Sequence, residues 1–344
     1  MEPNTHDILS LTIEELTQMI LAHNHPQYRA KQIYNWLHKN MITSFDEMLN
    51  IPKLLREILH DNFYIPSPKV LEQLRSSDGS VKYLFNFGNN TIIETVLMKS
   101  FYGYTICVST QAGCKMGCTF CASHLAGFQR NLTAGEILAQ VYYIQKHLDE
   151  KVSNIVIMGI GEPLDNYNAS VAFIRILSSP QGLNLSQRNI TISTCGVVEK
   201  IYALADEGLQ VTLAISLNAC DNTKRQEIMP IAKKYTIEQT LEAASYYFEK
   251  TKRRISYEYA LIKGFNDTNE QAFKLSKKLA HTPSHVNLIP LNTVSESGYL
   301  PTEEHKIKKF AEILESHHIS VTTRVSKGQD INAACGQLRR TGGV

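Results

Sequence analysis

A sixfold alternation of strand-like and helix-like runs, which starts near residue 104, constrains the fold of this 344-residue chain more than any other feature. Strand-like runs are predicted at 105–109, 154–158, 189–193, 211–217, 255–262 and 286–290. Helix-like runs are predicted at 133–147, 169–177, 198–207, 237–250, 270–279 and 303–316. Strands that alternate with helices pair in parallel through right-handed crossovers. Six units are too few for an eightfold barrel, so the sequence predicts an α/β partial barrel, with a doubly wound sheet as the alternative.

Two segments of different character precede this series. Residues 1–64 have apolar residues at helical spacing, and two prolines at 66 and 68 mark the end of that region. The runs 83–87 and 92–98 are typical of strands and are separated by a Gly-Asn-Asn turn, which predicts a hairpin. We therefore expect a helical N-terminal domain, a β-hairpin extension, a core domain and a C-terminal tail at 1–68, 69–99, 100–328 and 329–344.

Composition limits the possible classes of function. The hydrophobic share is 43% and the charged share is 20%, which is an ordinary balance for a folded protein. No apolar run approaches the ~20 residues of a membrane span, and the polar first residues do not resemble a signal peptide. We therefore expect a cytoplasmic protein with no membrane partner. The net charge of +2 means that any RNA contact must come from local basic patches.

Three of the seven cysteines follow the first strand of the series directly. Cys114, Cys118 and Cys121 form a CxxxCxxC motif on a glycine-containing loop. Three thiolates leave one iron of a four-iron cube without a protein ligand, so that a small molecule can bind there. The motif in this place resembles that of the radical S-adenosylmethionine (SAM) superfamily. The alternative is a zinc site, which needs a fourth ligand such as Cys107 or His124.

The resemblance implies a four-iron, four-sulfur (4Fe-4S) cluster whose open iron chelates SAM and whose electron cleaves it to a 5′-deoxyadenosyl radical. Gly161 and Glu162 end the second strand, where glycine permits close approach of a ligand and the carboxylate could receive the SAM amino group. A plain tight turn is the alternative interpretation. Later strand ends provide further candidate SAM contacts, although a solvated loop residue is the alternative for each: Ser193, Ser216, Leu217, Asn218 and Asn292.

A fourth notable cysteine, Cys335, lies in the short tail after the last helix, within the sequence AACGQL. Together with residues 107–114, 127–132 and 161–164, it resembles the RlmN/Cfr family of radical SAM RNA methyltransferases over nearly the whole chain. The family substrates are an adenine of 23S rRNA and, for some members, an adenine of tRNA. The motifs resemble the carbon-2 branch, and the carbon-8 branch is the alternative. A non-catalytic RNA-binding protein with a structural metal site is a third hypothesis.

The resemblance implies a mechanism that consumes two SAM molecules per turnover. Cys335 is first methylated, and a radical formed on that methyl group then adds to the electrophilic adenine carbon. Glu94 matches the family's base, and Cys107 matches the thiol that attacks the Cys335 sulfur and leaves a transient disulfide. The alternatives are a solvent-facing strand residue for Glu94 and an inert buried thiol for Cys107.

The mechanism also implies partners and a mobile tail. An external electron donor such as flavodoxin supplies the electron, and we expect a monomer. The tail must move because one sulfur meets several reactants, and its glycines are compatible with motion: Gly328, Gly336, Gly342 and Gly343. Cys195 and Cys220 have no visible partner, and we expect them to be inert.

One residue departs from the family pattern. The family usually has Ser-Leu-His after the fourth strand, whereas this chain has Asn218 in the histidine position; asparagine also donates and accepts hydrogen bonds, so a SAM contact can survive.

The sequence contains local basic patches that are candidates for RNA contact. Residues 28–39 contain three cations, three aromatics and no acids, as expected for RNA contact. An amphipathic helix that packs Ile33 and Trp36 inward explains the aromatics equally well. Further basic patches are Lys250, Lys252, Arg253 and Arg254, and Arg339 with Arg340.

Overall fold

The computed structural model describes residues 6–101, 103–280 and 282–339; Arg340, Gly342 and Gly343 lie outside them. The strands are β1 (His6–Asp7), β2 (Phe63–Tyr64), β3 (Lys69–Arg75), β4 (Val81–Asn86), β5 (Ile92–Ser100), β6 (Gly103–Cys107), β7 (Gln111–Ala112), β8 (Arg130–Asn131), β9 (Val152–Ile157), β10 (Ile190–Thr194), β11 (Thr212–Ser216), β12 (Ile255–Leu261), β13 (Ser284–Pro290) and β14 (Ser320–Thr323). The α-helices are α1 (Ile13–Ala22), α2 (Tyr28–His38), α3 (Lys53–Asn62), α4 (Ala134–Lys146), α5 (Tyr167–Ser178), α6 (Val198–Asp206), α7 (Asn222–Ile228), α8 (Ile237–Thr251), α9 (Asn269–Leu279) and α10 (Glu304–Ser316).

A ten-stranded sheet organises the chain in the order β14-β13-β12-β11-β10-β9-β6-β5-β4-β3. All neighbours from β6 to β14 are parallel, and the six predicted strands appear in it as β6 and β9–β13. The six predicted helices are also confirmed, as α4, α5, α6, α8, α9 and α10. The parallel strands follow one another without the reversal of order that a doubly wound sheet requires. The partial barrel is therefore confirmed and the doubly wound alternative is wrong.

Three elements of this sheet and its crossovers were not predicted. β14 is a four-residue strand whose side chains are mostly exposed, so it lacks the apolar run of the other parallel strands. β3 is an exposed edge strand that forms an antiparallel meander with the predicted β4–β5 hairpin. α7 is only seven residues long, and it begins where the Asp221 side chain accepts the N–H of Lys224.

The N-terminal segment is helical as expected, and it packs against the first helix of the barrel. Ile33, Tyr34 and Leu37 of α2 are buried in the same hydrophobic cluster as the inner face of α4. The hydroxyl of Thr133 donates to the Asp7 carboxylate, and a Thr133–Glu136 capping box begins α4. This contact fixes β1 to the start of the first helix of the barrel. None of the described helices is long and apolar enough to span a membrane.

Candidate active site

Two glycines determine the shape of the loops at the carboxyl ends of β6 and β9. Gly113 has φ +79°, and a Cβ there would lie 1.7 Å from the carbonyl oxygen of Gly127. Gly161 has φ +110°, and a Cβ there would lie 2.6 Å from the Cβ of Gln111. Only glycine allows these two close approaches, the first within the loop that follows β6 and the second between that loop and the one that follows β9. The cysteine motif and Glu162 are therefore brought to one cavity.

The three motif cysteines line this cavity together. Burial raises the pKa of the Cys114 thiol to about 12 and raises the pKa of Cys118 and Cys121 as well, and charge on neighbouring thiols adds to the rise for Cys114 and Cys118. The guanidinium of the buried Arg225 opposes this effect at Cys118. Three such thiols become thiolates when bound to cationic iron, so the donor set fits a cluster.

The zinc alternative is not supported by the arrangement of side chains. Nδ1 of His124 lies 2.7 Å from the carbonyl oxygen of Cys121, and Cys107 lines a different cavity. Among the described residues, no three Cys, His, Asp or Glu side chains converge closely enough to hold a single metal ion. In a four-iron cube each cysteine binds a different iron, so the sulfurs do not need to converge in this way.

Glu162 is held in the cavity by backbone donors. Its Oε2 accepts the N–H of Cys195 at 2.8 Å and its Oε1 accepts the N–H of Leu164 at 2.9 Å. Burial raises the pKa of this carboxyl, and these two N–H groups counteract the rise. The carboxylate therefore has a fixed position in a dry site, where a ligand ammonium would favour its ionised form.

Cys195 was expected to be inert, but it lines the same cavity as the motif cysteines. Its side chain is hydrogen-bonded to Glu162, and its thiol is close enough to Cys118 to interact electrostatically with it. No signal in the sequence indicated this position, because Cys195 follows a strand with no motif around it. Cys220 is buried in the main hydrophobic core.

The strand-end polar residues differ in how they meet the cavity. Ser193, Ser216, Asn218 and Asn292 line it, whereas the side chain of Leu217 is fully buried and does not. Asn218 has φ +57°, its Oδ1 accepts the N–H of Ala260 at 2.8 Å, and its amide nitrogen lies 3.4 Å from the sulfur of Met229. The residue that replaces the family histidine therefore connects β11 to β12.

Asn292 holds the tail rather than facing the cavity freely. Its amide nitrogen donates to the carbonyl oxygen of Cys335 at 3.0 Å, and its Oδ1 accepts from Gln329 at 2.7 Å. Gly336 accepts the N–H of Ala122 at 2.7 Å, which joins the tail to the loop that follows Cys121. The described part of the tail is thus packed against the cysteine loop in this conformation.

Cys335 is half-buried and lies between two cavities. One contains the motif cysteines and Glu162, and the other contains Cys107. All seven cysteines fall within the described residues and are free thiols, so Cys107 and Cys335 form no disulfide here. Burial, together with the nearby Cys335, raises the pKa of Cys107 to about 12, and Arg324 opposes both effects.

Glu94 is 1% exposed, so the solvent-facing alternative is wrong. Its Oε1 lies 2.9 Å from the Nζ of Lys82, and its Oε2 accepts the N–H of Arg339 in the tail at 2.8 Å. Burial raises the pKa of Glu94, and Lys82 and Arg339 oppose the rise. It lies two residues from Val96, which pairs with Cys107 across β5 and β6. The base and the thiol assigned by resemblance are therefore on adjacent strands.

Sequence reasoning missed two charged residues of this region. Lys82 immediately precedes the predicted run 83–87 and belongs to no motif in the sequence. Arg324 follows the unpredicted β14; its Nη1 lies 3.6 Å from the Met158 sulfur and 3.8 Å from Oε2 of Glu258. Arg324 lines both cavities, together with Cys335.

Comparison with known proteins agrees with this geometry. The model of the Radical SAM superfamily matches residues 108–276, which include the cysteine motif and Glu162. The chain is therefore a radical SAM protein, a class whose members use a 4Fe-4S cluster and SAM. The model of the ribosomal RNA large subunit methyltransferase N-terminal domain matches residues 6–65.

Full-length relatives narrow the assignment. The chain is 50% identical over 337 residues to a protein of Clostridium beijerinckii, with 98% of this chain and 95% of the relative covered. It is 49% identical over 341 residues to a protein of Geobacillus kaustophilus, with 98% and 93% covered. Both are named "Probable dual-specificity RNA methyltransferase RlmN". The chain belongs to the RlmN family of radical SAM RNA methyltransferases.

A solved structure supports the same conclusion. The crystal structure of a radical SAM methyltransferase from Sphaerobacter thermophilus superposes with a TM-score of 0.93 at 39% sequence identity. The superposition covers 98% of this chain and all of that one. The N-terminal helices, the sheet and the described tail are therefore parts of one shared architecture.

Proposed function

We propose that this protein methylates carbon 2 of an adenine in 23S rRNA, with tRNA as a second substrate class, through an S-methyl group on Cys335. The observation on which the proposal chiefly depends is the position of Cys335, which lines both the cavity of the motif cysteines and the cavity of Cys107. One sulfur can thus meet SAM on one side and the resolving thiol on the other. The choice of carbon 2 rests on the motif resemblance and on the RlmN relatives.

Cys114, Cys118 and Cys121 would hold the cluster, which supplies the electron that cleaves SAM to a 5′-deoxyadenosyl radical. Glu162 would bind the ammonium group of SAM; two backbone donors that hold its oxygens and the burial of its side chain support this role. Hydroxyl and amide groups at strand ends would contact the ribose, carboxylate and adenine of SAM. The side chains of Ser193, Ser216, Asn218 and Asn292 would supply such groups, whereas Gly161 and Leu217 have only backbone groups to offer.

Cys335 carries the transferred carbon. Its thiolate takes a methyl group from a first SAM, and a second SAM is consumed to activate that methyl group, so two SAM molecules are used per turnover. Carbon 2 of adenine is electrophilic, so an ordinary polar methyl transfer does not alkylate it, whereas a radical adds to it. The product of this addition is a radical in which protein and RNA are covalently joined. It must lose one electron, which the oxidised cluster would accept, before the adduct is resolved.

Glu94 and Cys107 then resolve the adduct. Glu94 removes the ring proton from carbon 2, and the Cys107 thiolate attacks the Cys335 sulfur. The bond between that sulfur and the bridging carbon breaks, and the carbon takes a proton to become the methyl group. A Cys107–Cys335 disulfide is left, and an external reductant must reduce it before the next turnover.

The proposal includes the setting in which the enzyme acts. It acts as a cytoplasmic monomer with an external donor such as flavodoxin, and its N-terminal helices contribute to RNA binding. Tyr28 is exposed and the Arg29 guanidinium lies 4.9 Å from the centre of its ring, whereas Tyr34 is buried. One aromatic residue of α2, Tyr34, therefore packs in the core, and another, Tyr28, is available at the surface to contact RNA.

Product mapping tests the proposal directly. Anaerobically reconstituted protein, SAM, a reductant and 23S rRNA should yield 2-methyladenosine, detected by mass spectrometry of nucleosides. A carbon-8 product would favour the alternative branch. No modified adenosine from fully reconstituted protein would contradict the proposal.

A further inference from the structure

The cavity that Cys107 lines has mostly different lining residues from the cavity that the motif cysteines line. Its volume is about 360 Å³, within the range of ligand sites. It extends from residues near the starts of β9 and β10, such as Asn154 and Asn189, to the two cysteines Cys107 and Cys335. The two cavities share few lining residues, and Cys335 is one of them.

The charge of this cavity has one sign. Lys99, Arg188, Arg324 and Lys327 line it, and no Asp or Glu does. Lys99 and Arg188 are exposed and Lys327 is half-buried. Within the described part of the chain, none of these three forms an ion pair, whereas Arg324 lies near Glu258. Three cations without acidic partners at the outer part of a cavity favour an anionic ligand.

The walls between the cations and the cysteines are apolar. Val96, Met98, Val156, Met158 and Leu338 contribute to them. Enzymes that modify a base take it out of its stack and hold it between apolar side chains, while cations bind the flanking phosphates. A nucleotide has this division, with a flat base and an anionic backbone.

We propose that this cavity, with Lys99, Arg188 and Lys327 at its outer part, receives the unstacked target nucleotide of a single-stranded RNA segment. The inference rests on the proposed function and adds the route of the substrate. The base lies against the apolar walls, and the three cations bind phosphates on either side of it. SAM and RNA then reach the Cys335 sulfur from two sides, so neither has to leave before the other binds.

A protein reductant with an acidic surface is the other partner that a cationic opening could attract. The cavity favours RNA because its inner end is the buried thiol of Cys107, which is 7% exposed. A cavity of about 360 Å³ has room for a single base, whereas a protein partner needs a broad contact surface.

RNA binding by the anaerobic holoenzyme with SAM tests the inference. The variant Lys99→Ala/Arg188→Ala/Lys327→Ala should bind a labelled RNA hairpin at least tenfold more weakly than the parent. Its plot of log affinity against log salt should be shallower by about 0.7 for each phosphate that the variant no longer binds. Lys308→Ala, which removes an exposed cation of α10 outside the cavity, is the matched control and should behave like the parent.

A second variant tests the apolar part. Met98→Trp should fill the cavity from its β5 side, so RNA methylation should fall by at least a hundredfold while SAM still methylates Cys335, as measured by peptide mass spectrometry. An unchanged KM for RNA and an unchanged salt slope in the triple variant would overturn the inference. So would a first turnover at the parent rate followed by a stop that dithiothreitol relieves, because that result assigns the cavity to a reductant.

Failure of the proposed function would look different. If neither the parent nor any variant methylated RNA, the binding comparison would still decide whether the cavity receives RNA. Weaker binding by the triple variant, but not by Lys308→Ala, would support the cavity even then. Equal binding by all three proteins would overturn it.

Discussion

The Nζ of Lys82 lies 2.9 Å from Oε1 of Glu94, and both side chains are almost fully buried. Lys82 also donates to the carbonyl oxygen of Asn332 at 3.2 Å, while the other oxygen of Glu94 accepts the N–H of Arg339. The base assigned to the reaction is therefore hydrogen-bonded to the tail that carries Cys335. Movement of the tail would remove one donor from Glu94 and would make its buried carboxylate a stronger base.

Removing the amine of Lys82 tests this relationship. Lys82→Met should remove the cation that contacts Glu94, so the pKa of Glu94 should rise further and the pH at which adduct resolution becomes fast should move upward. A buried carboxylate without its partner also destabilises a fold, by about 3–5 kcal/mol. Lys82→Arg keeps the charge and should restore most of the parent pH profile. An unchanged profile in Lys82→Met would show that the pair is only structural.

Glu94→Gln should slow the release of methylated RNA by about 10²–10⁴-fold, the usual contribution of a general base. Methylation of Cys335 and SAM cleavage should continue, because neither step uses Glu94. Single-turnover assays that follow SAM cleavage and RNA product separately measure the difference. Parallel loss of both signals would contradict the assigned role.

The same variant has a predicted effect on stability. Burial raises the pKa of Glu94 in the folded protein above its unfolded value. Its contribution to the free energy of unfolding is therefore full below the unfolded pKa and is lost as pH rises through the folded pKa. Glu94→Gln should abolish that part of the pH dependence, which denaturant unfolding at several pH values would measure.

The close approach of Gly113 in the cysteine loop can be tested against Gly79, a glycine of similar backbone conformation in the turn between β3 and β4. Gly113 and Gly79 both have positive φ, but a Cβ at Gly79 meets nothing within 4 Å, whereas one at Gly113 meets the Gly127 carbonyl oxygen at 1.7 Å. Gly79→Ala should therefore cost only the backbone strain of about 1–3 kcal/mol. Gly113→Ala should cost more and should also reduce the iron bound per chain. Equal effects of the two changes would show that the close approach of Gly113 to Gly127 is not required.

The iron content of the protein tests the role of the cysteine motif, with a cysteine outside the motif as the control. Anaerobic protein should contain about four irons per chain, and Cys118→Ala should remove the iron and SAM cleavage. Cys220→Ala changes a buried thiol of the hydrophobic core and should keep both. Stoichiometric zinc without iron in anaerobic protein would contradict the cluster.

The sequence allowed prediction of the repeating strands and helices because each has its own periodic apolar pattern. β3 and β14 escaped prediction because their exposed side chains lack that pattern. The burial of Glu94 could not be predicted either, since alternation along β5 is equally compatible with a solvated face. Its partner Arg339 lies 245 residues away in sequence, and only the folded tail brings the two together. Local motifs therefore located the cluster, whereas Lys82 and Arg324 required the tertiary structure.

Removal of Cys335 and removal of Cys107 should stop RNA methylation at different steps. Cys335→Ala should abolish RNA methylation but keep iron and SAM binding, because this residue ligates no iron. Cys107→Ala should still allow radical addition, and protein covalently joined to RNA through Cys335 should accumulate on a denaturing gel. Peptide mapping of the crosslinked band should identify Cys335.

The resolving step should also depend on pH. Burial raises the pKa of Cys107 to about 12, so only a small fraction is the reactive thiolate at neutral pH, and release of product by the parent should become faster as pH rises from about 6 to about 9. Cys195→Ala removes a thiol of the neighbouring cavity and should produce no crosslink. A Cys107→Ala variant that turns over at the parent rate without a crosslink would refute the role of Cys107, and an unmethylated, dispensable Cys335 would refute the mechanism.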